Sequence, residues 1–185
     1  MRNEFDLLHA LRIKGRVPAD QVGADPAVVT AAADAGLIAV TARGVLLTGA
    51  GLVRHAGLLA EQVSTADRDG LERTYDRFLQ VNRAVKDACA QWQAAGSAAT
   101  DDDLLRAVDA LERAFTRVDR PLAKLAVRLP RYGVYRDRLE AALERATEGR
   151  RDALADPGSD SFHTAWFECH EDFLVSLGRA REEDE

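Results

Sequence analysis

Two cysteines, one methionine and three lysines in 185 residues leave little room for several common kinds of chemistry. Cys89 and Cys169 lie far apart, each on the apolar stripe of an expected helix, and so read as buried free thiols rather than a disulfide framework. With four histidines they form no recognisable zinc spacing, so neither a metal nor a cofactor is expected. No apolar run approaches the ~18 residues that a membrane span requires, which excludes a membrane-embedded chain. The opening Met1-Arg2-Asn3-Glu4-Phe5-Asp6 puts charges where a signal peptide needs an unbroken apolar stretch, and the expected location is cytoplasmic. The shortage of lysine is matched by 22 arginines, a bias that fits a GC-rich coding sequence and carries no functional weight.

What is present is an ordinary helical composition, 46% hydrophobic and 30% charged, with a net charge of −6. Through Ala60 there are six basic residues against five acidic ones, whereas the remainder has nineteen against twenty-six. A slightly basic head on an acidic body permits contact with a polyanion without requiring it. The length suits a small domain followed by a larger one, 1–64 and 65–185.

The head alternates helix and turn signals. A first helix runs from about Asn3 to Lys14, with Leu7, Leu8 and Leu11 on one face and Gly15 as its stop. Pro18 opens a short second helix through Gln21, and Asp25-Pro26 is an N-cap followed by proline at the first helical position. Gly36 ends that third helix. Leu37 to Val40 and Val45 to Leu47 are β-prone runs joined by Thr41-Ala42-Arg43-Gly44, a hairpin. Three helices and a hairpin in this order make a winged helix, the hairpin being its wing. Thr48 then caps a further helix on which Leu52, Ala56, Leu59 and Val63 form a stripe.

The body reads as an all-α bundle. One long helix carries the stripe Leu71, Tyr75, Phe78, Asn82, Val85, Cys89 and Trp92, polar only at Asn82. After a break at residues 96–99, Thr100 or Asp101 caps a second helix, bent or split at Pro121. Residues 130–133 form a connection, Tyr135 to Glu148 a third helix, and a loop through Asp156-Pro157-Gly158 leads to the last helix, Ser161 to Leu177. There Phe162, Trp166, Cys169, Phe173 and Leu177 share a stripe flanked by His163, Phe167, His170 and Leu174. The acidic tail beyond is expected to be disordered.

As a DNA reader the head is unusual. Base edges are read by Arg, Asn or Gln and phosphates by cations or free amides, yet the third helix has no Lys, Arg, Asn or Gln. Its outward face is Ala27, Thr30, Ala31 and Asp34. Contact would fall to Arg12, Lys14 and Arg16 at the exit of the first helix, to Thr30, to Arg43 at the wing tip and to backbone amides near Pro26. Gly49-x-Gly51-x-x-Arg54 imitates a dinucleotide fingerprint but lacks its third small residue and its βαβ unit, and reads as a glycine-tolerant helix entry.

In the body, His163, Glu168, His170, Glu171 and Asp172 concentrate polar chemistry on one helix. His163 and His170 are about 10 Å apart along its axis, too far to share one ion, and no nucleophile or oxyanion motif accompanies them. A catalytic site is therefore not expected. A ligand pocket would have Trp92, Trp166, Tyr75 and Tyr135 as walls and Asn82, Arg131, Tyr132, His163 and His170 as polar anchors. The competing arrangement is a buried network in which these same polar groups satisfy one another.

Several segments resemble a known family: Leu8-His9-Ala10-Leu11-Arg12-Ile13-Lys14-Gly15, Leu47-Thr48-Gly49-Ala50-Gly51, Leu129-Pro130-Arg131-Tyr132 and, most specifically, Ser161-Phe162-His163-Thr164-Ala165-Trp166-Phe167-Glu168-Cys169-His170-Glu171-Asp172. They are similar to an actinobacterial family with a MarR-like winged helix followed by an α-helical domain, associated with pyruvate phosphate dikinase-like proteins. The resemblance implies a non-catalytic transcriptional regulator that binds double-stranded DNA as a homodimer, its helical domain binding a ligand or dimerising. It equally implies an adaptor to a dikinase-like, phosphoenolpyruvate-utilising enzyme.

Overall fold

The computed structural model describes residues 3–179, and among them the chain is mainly helical, with eight α-helices and one two-stranded antiparallel sheet. The acidic tail, residues 180–185, lies outside the described residues. Two compact units divide between Ser64 and Thr65.

In the first unit, α1 (Glu4–Lys14) begins with a reciprocal capping box between Asn3 and Asp6 and stops at Gly15, whose φ of 75° suits glycine. Val17 then runs antiparallel to Val45, each donating its N–H to the other's carbonyl. The expected second helix is a single 3-10 turn, Ala19–Gln21. Asp25 caps α2 (Pro26–Asp34), and the hairpin follows as β1 (Ile38–Thr41) and β2 (Gly44–Leu47), with Ile38 opposite Leu47 and Thr41 opposite Gly44. Leu7, Leu8 and Leu11 of α1 meet Ala32, Ile38 and Val45 in one core.

The next helix, α3 (Gly49–Gln62), buries Leu59 of the expected stripe but not Leu52 or Ala56. Gly51, His55 and Leu59 face inward, while Leu52 is 47% exposed and Ala56 is also in solvent. The reason is local. Thr48 donates its hydroxyl to the carbonyls of Gly36 and Leu37, and Gly51 packs so closely on Leu37 that a Cβ there would collide with its carbonyl oxygen. That contact fixes the rotation of the helix, one residue away from the face that side-chain hydrophobicity favours. His55 is thereby brought to His9 of α1, ring nitrogens 3.0 Å apart, with Phe5 stacked on both rings.

In the second unit, α4 (Thr65–Ala95) and α5 (Asp101–Ala126) form a long hairpin through a 3-10 turn, Gly96–Ala98. Thr100 and Asp103 cap α5 reciprocally. Pro121 does not split α5: the helix continues to Ala126. Residues 130–133 are not a connection either, because α6 (Arg131–Thr147) starts directly after Pro130, whose fixed φ presets the helical turn. Gly133 is a contact residue: a Cβ there would come 3.3 Å from that of Ala126. A short helix, α7 (Asp152–Ala155), precedes the loop to α8 (Phe162–Leu177), which Ser161 caps. On α8 the more deeply buried flank of the apolar stripe is Ala165, Glu168, Asp172 and Ser176, opposite to the expected one, where Phe167 is half in solvent.

Candidate functional site

On the first unit, Thr30 lies on the exposed face of α2 with Ala27, Ala31 and Asp34. The helix N-terminus, in contrast to expectation, is closed to anions. Pro26 has no N–H, Ala27 N donates to the Asp25 carboxylate at 2.9 Å, and Val28 N and Val29 N both donate to the Asp25 carbonyl. The capping residue that starts the helix so well thus occupies its amides and adds a negative charge where a phosphate would sit. The remaining cations lie around the sheet. Arg12 and Lys14 end α1, Arg16 precedes the bridge residue Val17, and exposed Arg43 occupies the hairpin turn. That turn is ordered by the Thr41 side chain, which donates to Gly44 O at 2.8 Å and accepts from Arg43 N at 3.2 Å.

In the second unit the seven candidate ligand-binding residues are not gathered around one cavity. Trp166 stacks on Phe78, centroids 4.0 Å apart, and its Nε1 donates to the Asn82 side-chain oxygen at 2.9 Å. His170 Nε2 meets the Tyr75 hydroxyl at 2.9 Å. Trp92 is elsewhere, beneath the Arg151 guanidinium, and half-buried His163 faces Phe167. Burial holds the His163 pKa below its ordinary value.

Arg131 and Tyr132 meet on Asp172, whose carboxylate is completely buried. Arg131 Nε donates to both of its oxygens at 3.1 and 3.2 Å, and the Tyr132 and Ser176 hydroxyls donate to Oδ1. Arg131 Nη2 also reaches the Ser176 hydroxyl at 2.9 Å. Burial alone would lower the Arg131 pKa, but the charge and hydrogen bond of Asp172, together with Tyr132 and Tyr135, outweigh it and hold the guanidinium ionised. For Tyr132, burial and then the Asp172 charge push the pKa well up, keeping the phenol protonated. Among the described residues no buried side-chain polar atom lacks a partner, so this network is satisfied internally. A parallel clasp joins Arg138 of α6 to Glu168 of α8 and to Asp160 in the preceding loop, at 2.6 to 2.8 Å. These contacts lock α6 to α8.

A cleft of about 390 Å³ lies instead between α4 and α5. Its floor is Gly70, Thr74 and Leu125, and its rim carries Arg73 and Arg77 from α4 with Lys124 from α5 and Arg128 from the turn that follows it. Asp67 is buried at one end and accepts from Arg128 Nε at 3.1 Å. Among the described residues Arg73, Arg77 and Lys124 make no ion pair. None of these positions stood out as a site from sequence. The legible signal was two pairs of cations four residues apart, 73 with 77 and 124 with 128, each near a glycine or proline that helices disfavour.

Among the described residues no cluster of three or more His, Cys, Asp or Glu could hold a metal ion, and no helix is long and apolar enough to cross a membrane. Comparison with protein-family models, curated proteins and solved structures finds no match to this chain.

Proposed function

We propose that the protein is a non-catalytic regulator of the MarR-like kind, whose first unit is a winged helix that docks on duplex DNA through its wing rather than through α2. The observation that carries this reading is the order α1, Val17 bridge, short turn, α2, hairpin, with Arg16 beside the bridge to Val45 and Arg43 in the hairpin turn. Since α2 offers no Arg, Lys, Asn or Gln and no open amide, contacts would fall mainly on phosphates, which position a protein without reading sequence. Selectivity would then depend on DNA shape. Fluorescence anisotropy with labelled duplexes tests this: Arg43→Ala should weaken binding to every sequence alike and lower the salt slope by about one. Unchanged affinity in that variant would remove the wing from the interface.

A second reading, an adaptor to a dikinase-like enzyme, is favoured by the exposed face of α2. Ala27, Thr30 and Ala31 carry no charge and little bulk, so another protein's helix can approach closely without desolvating an ion. Ala31→Arg should abolish binding to the dikinase-like protein of the same genome while DNA affinity stays constant or rises. Retained partner binding in that variant would count against the adaptor.

A further inference from the structure

We propose that the cleft between α4 and α5 binds a small organic anion, one with a phosphate or carboxylate head and a short apolar body. The site belongs to the second unit alone and does not rest on the DNA-binding reading.

The cleft's volume, about 390 Å³, falls within the range of small-ligand pockets, and its wall is apolar where Leu125, Gly70 and Pro121 meet. Its four cations stand against a single acid, Asp67, already paired to Arg128. This concentration of positive charge occurs in a unit that is acidic as a whole, with nineteen basic residues against twenty-five acidic ones from Thr65 onward. Like charges crowded on a rim repel one another, so their collection here, with Arg73, Arg77 and Lys124 lacking ion-pair partners, fits an anion that neutralises them. Arg73 and Arg77 stand one helical turn apart on α4, and Lys124 of α5 with Arg128 in the turn after it places two positive charges on the other side of the cleft.

The backbone gives an independent reason. Gly70 and Pro121 are the helix-disfavoured residues of α4 and α5, and both line this cleft. Gly70 leaves open the space above Leu125, since a Cβ there would lie 3.7 Å from Leu125 Cδ1 and begin to fill the floor. Local stability is given up on both helices where they form this concavity, as happens at functional sites. A long polyanion suits the surroundings poorly, because the acidic unit would repel its phosphates beyond the rim.

The test is a titration of the full chain with inorganic phosphate, phenyl phosphate, benzoate and neutral benzyl alcohol, followed by amide ¹H–¹⁵N shifts. The proposal expects phenyl phosphate or benzoate to shift residues 66–77 and 121–128 and to bind at least about tenfold tighter than inorganic phosphate or benzyl alcohol. The relative affinities of the two aryl anions identify the preferred head group. The double variant Arg73→Ala/Lys124→Ala should weaken aryl-anion binding at least about tenfold, whereas Arg106→Ala, an exposed arginine of α5 outside the cleft, should not. Gly70→Leu provides a second check by filling the floor: it should remove the aryl advantage and keep the weak inorganic phosphate response. The proposal is overturned if both aryl anions fail to shift these amides, if benzyl alcohol binds as well as they do, if Arg106→Ala loses as much as the double variant, or if duplex DNA displaces phenyl phosphate from the cleft.

Discussion

At the scale of single residues, Asp172 is the side chain on which the second unit most depends. It is a buried carboxylate with three donors, and removing it strands a mostly buried guanidinium and a fully buried phenol. Asp172→Ala should therefore lower unfolding free energy by about 3–5 kcal/mol in urea titrations, against about 1 kcal/mol for Tyr132→Phe, which removes one donor and keeps the ring. Equal losses in the two variants would mean that packing rather than charge pairing governs the site. His163 gives the acid counterpart. Its folded pKa is lowered, so below the ordinary value of 6.5 the unfolded chain takes up a proton that the folded one resists. Stability should fall as pH drops through this range, and His163→Gln should flatten that slope in urea midpoints measured from pH 7 to 5. The sequence displayed all these residue types on the right helices but not their partners. Arg131 was legible as a polar group beside aromatics, whereas its pairing with Asp172 required knowing that α8 buries the Glu168–Asp172–Ser176 flank, which hydrophobicity alone ranks as the solvent side.

At the scale of elements, caps and helix starts were readable because their signals are local. Asp25, Thr48 and Thr100 cap their helices as expected, while Asn3 and Ser161, expected as first helical residues, sit one position outside as caps. Thr100→Ala should cost about 1 kcal/mol, measured by urea unfolding, because both halves of its capping box are lost. Two departures arise where a glycine serves distance rather than flexibility. Gly133 marks the close approach of α5 and α6, and Gly51 marks the seat of α3 on Leu37. In both cases the backbone position of a neighbouring element decides, and no local pattern encodes it. Gly51→Ala should accordingly destabilise the first unit by about 1–3 kcal/mol, read as faster amide exchange in α1 and α3 with exchange in α5 and α6 unchanged. The same glycine accounts for the dinucleotide-like Gly49-x-Gly51 pattern without any nucleotide.

At the scale of the whole molecule, the two units differ in the titratable groups they carry. Every cysteine and tyrosine of the chain lies beyond Ser64. Burial raises the Cys89 pKa to about 12 and pushes Cys169, Tyr132 and Tyr135 well up. Groups that stay protonated in the folded state and ionise in the unfolded chain favour folding less as pH climbs past their ordinary values, about 9 for the thiols and 10 for the phenols. The second unit should lose stability steadily from about pH 9 upward, seen as a falling urea midpoint, while amide protection in the first unit, which has none of these groups, changes less. An alkaline transition led by the first unit would contradict these burial-driven shifts. Both tryptophans also belong to the second unit, and Trp166 is fixed between Phe78 and Asn82 where α8 meets α4. Intrinsic fluorescence is consequently silent about events confined to the head. A tryptophan signal evoked by a duplex would be the optical signature of communication between the two halves of the chain, not of docking itself.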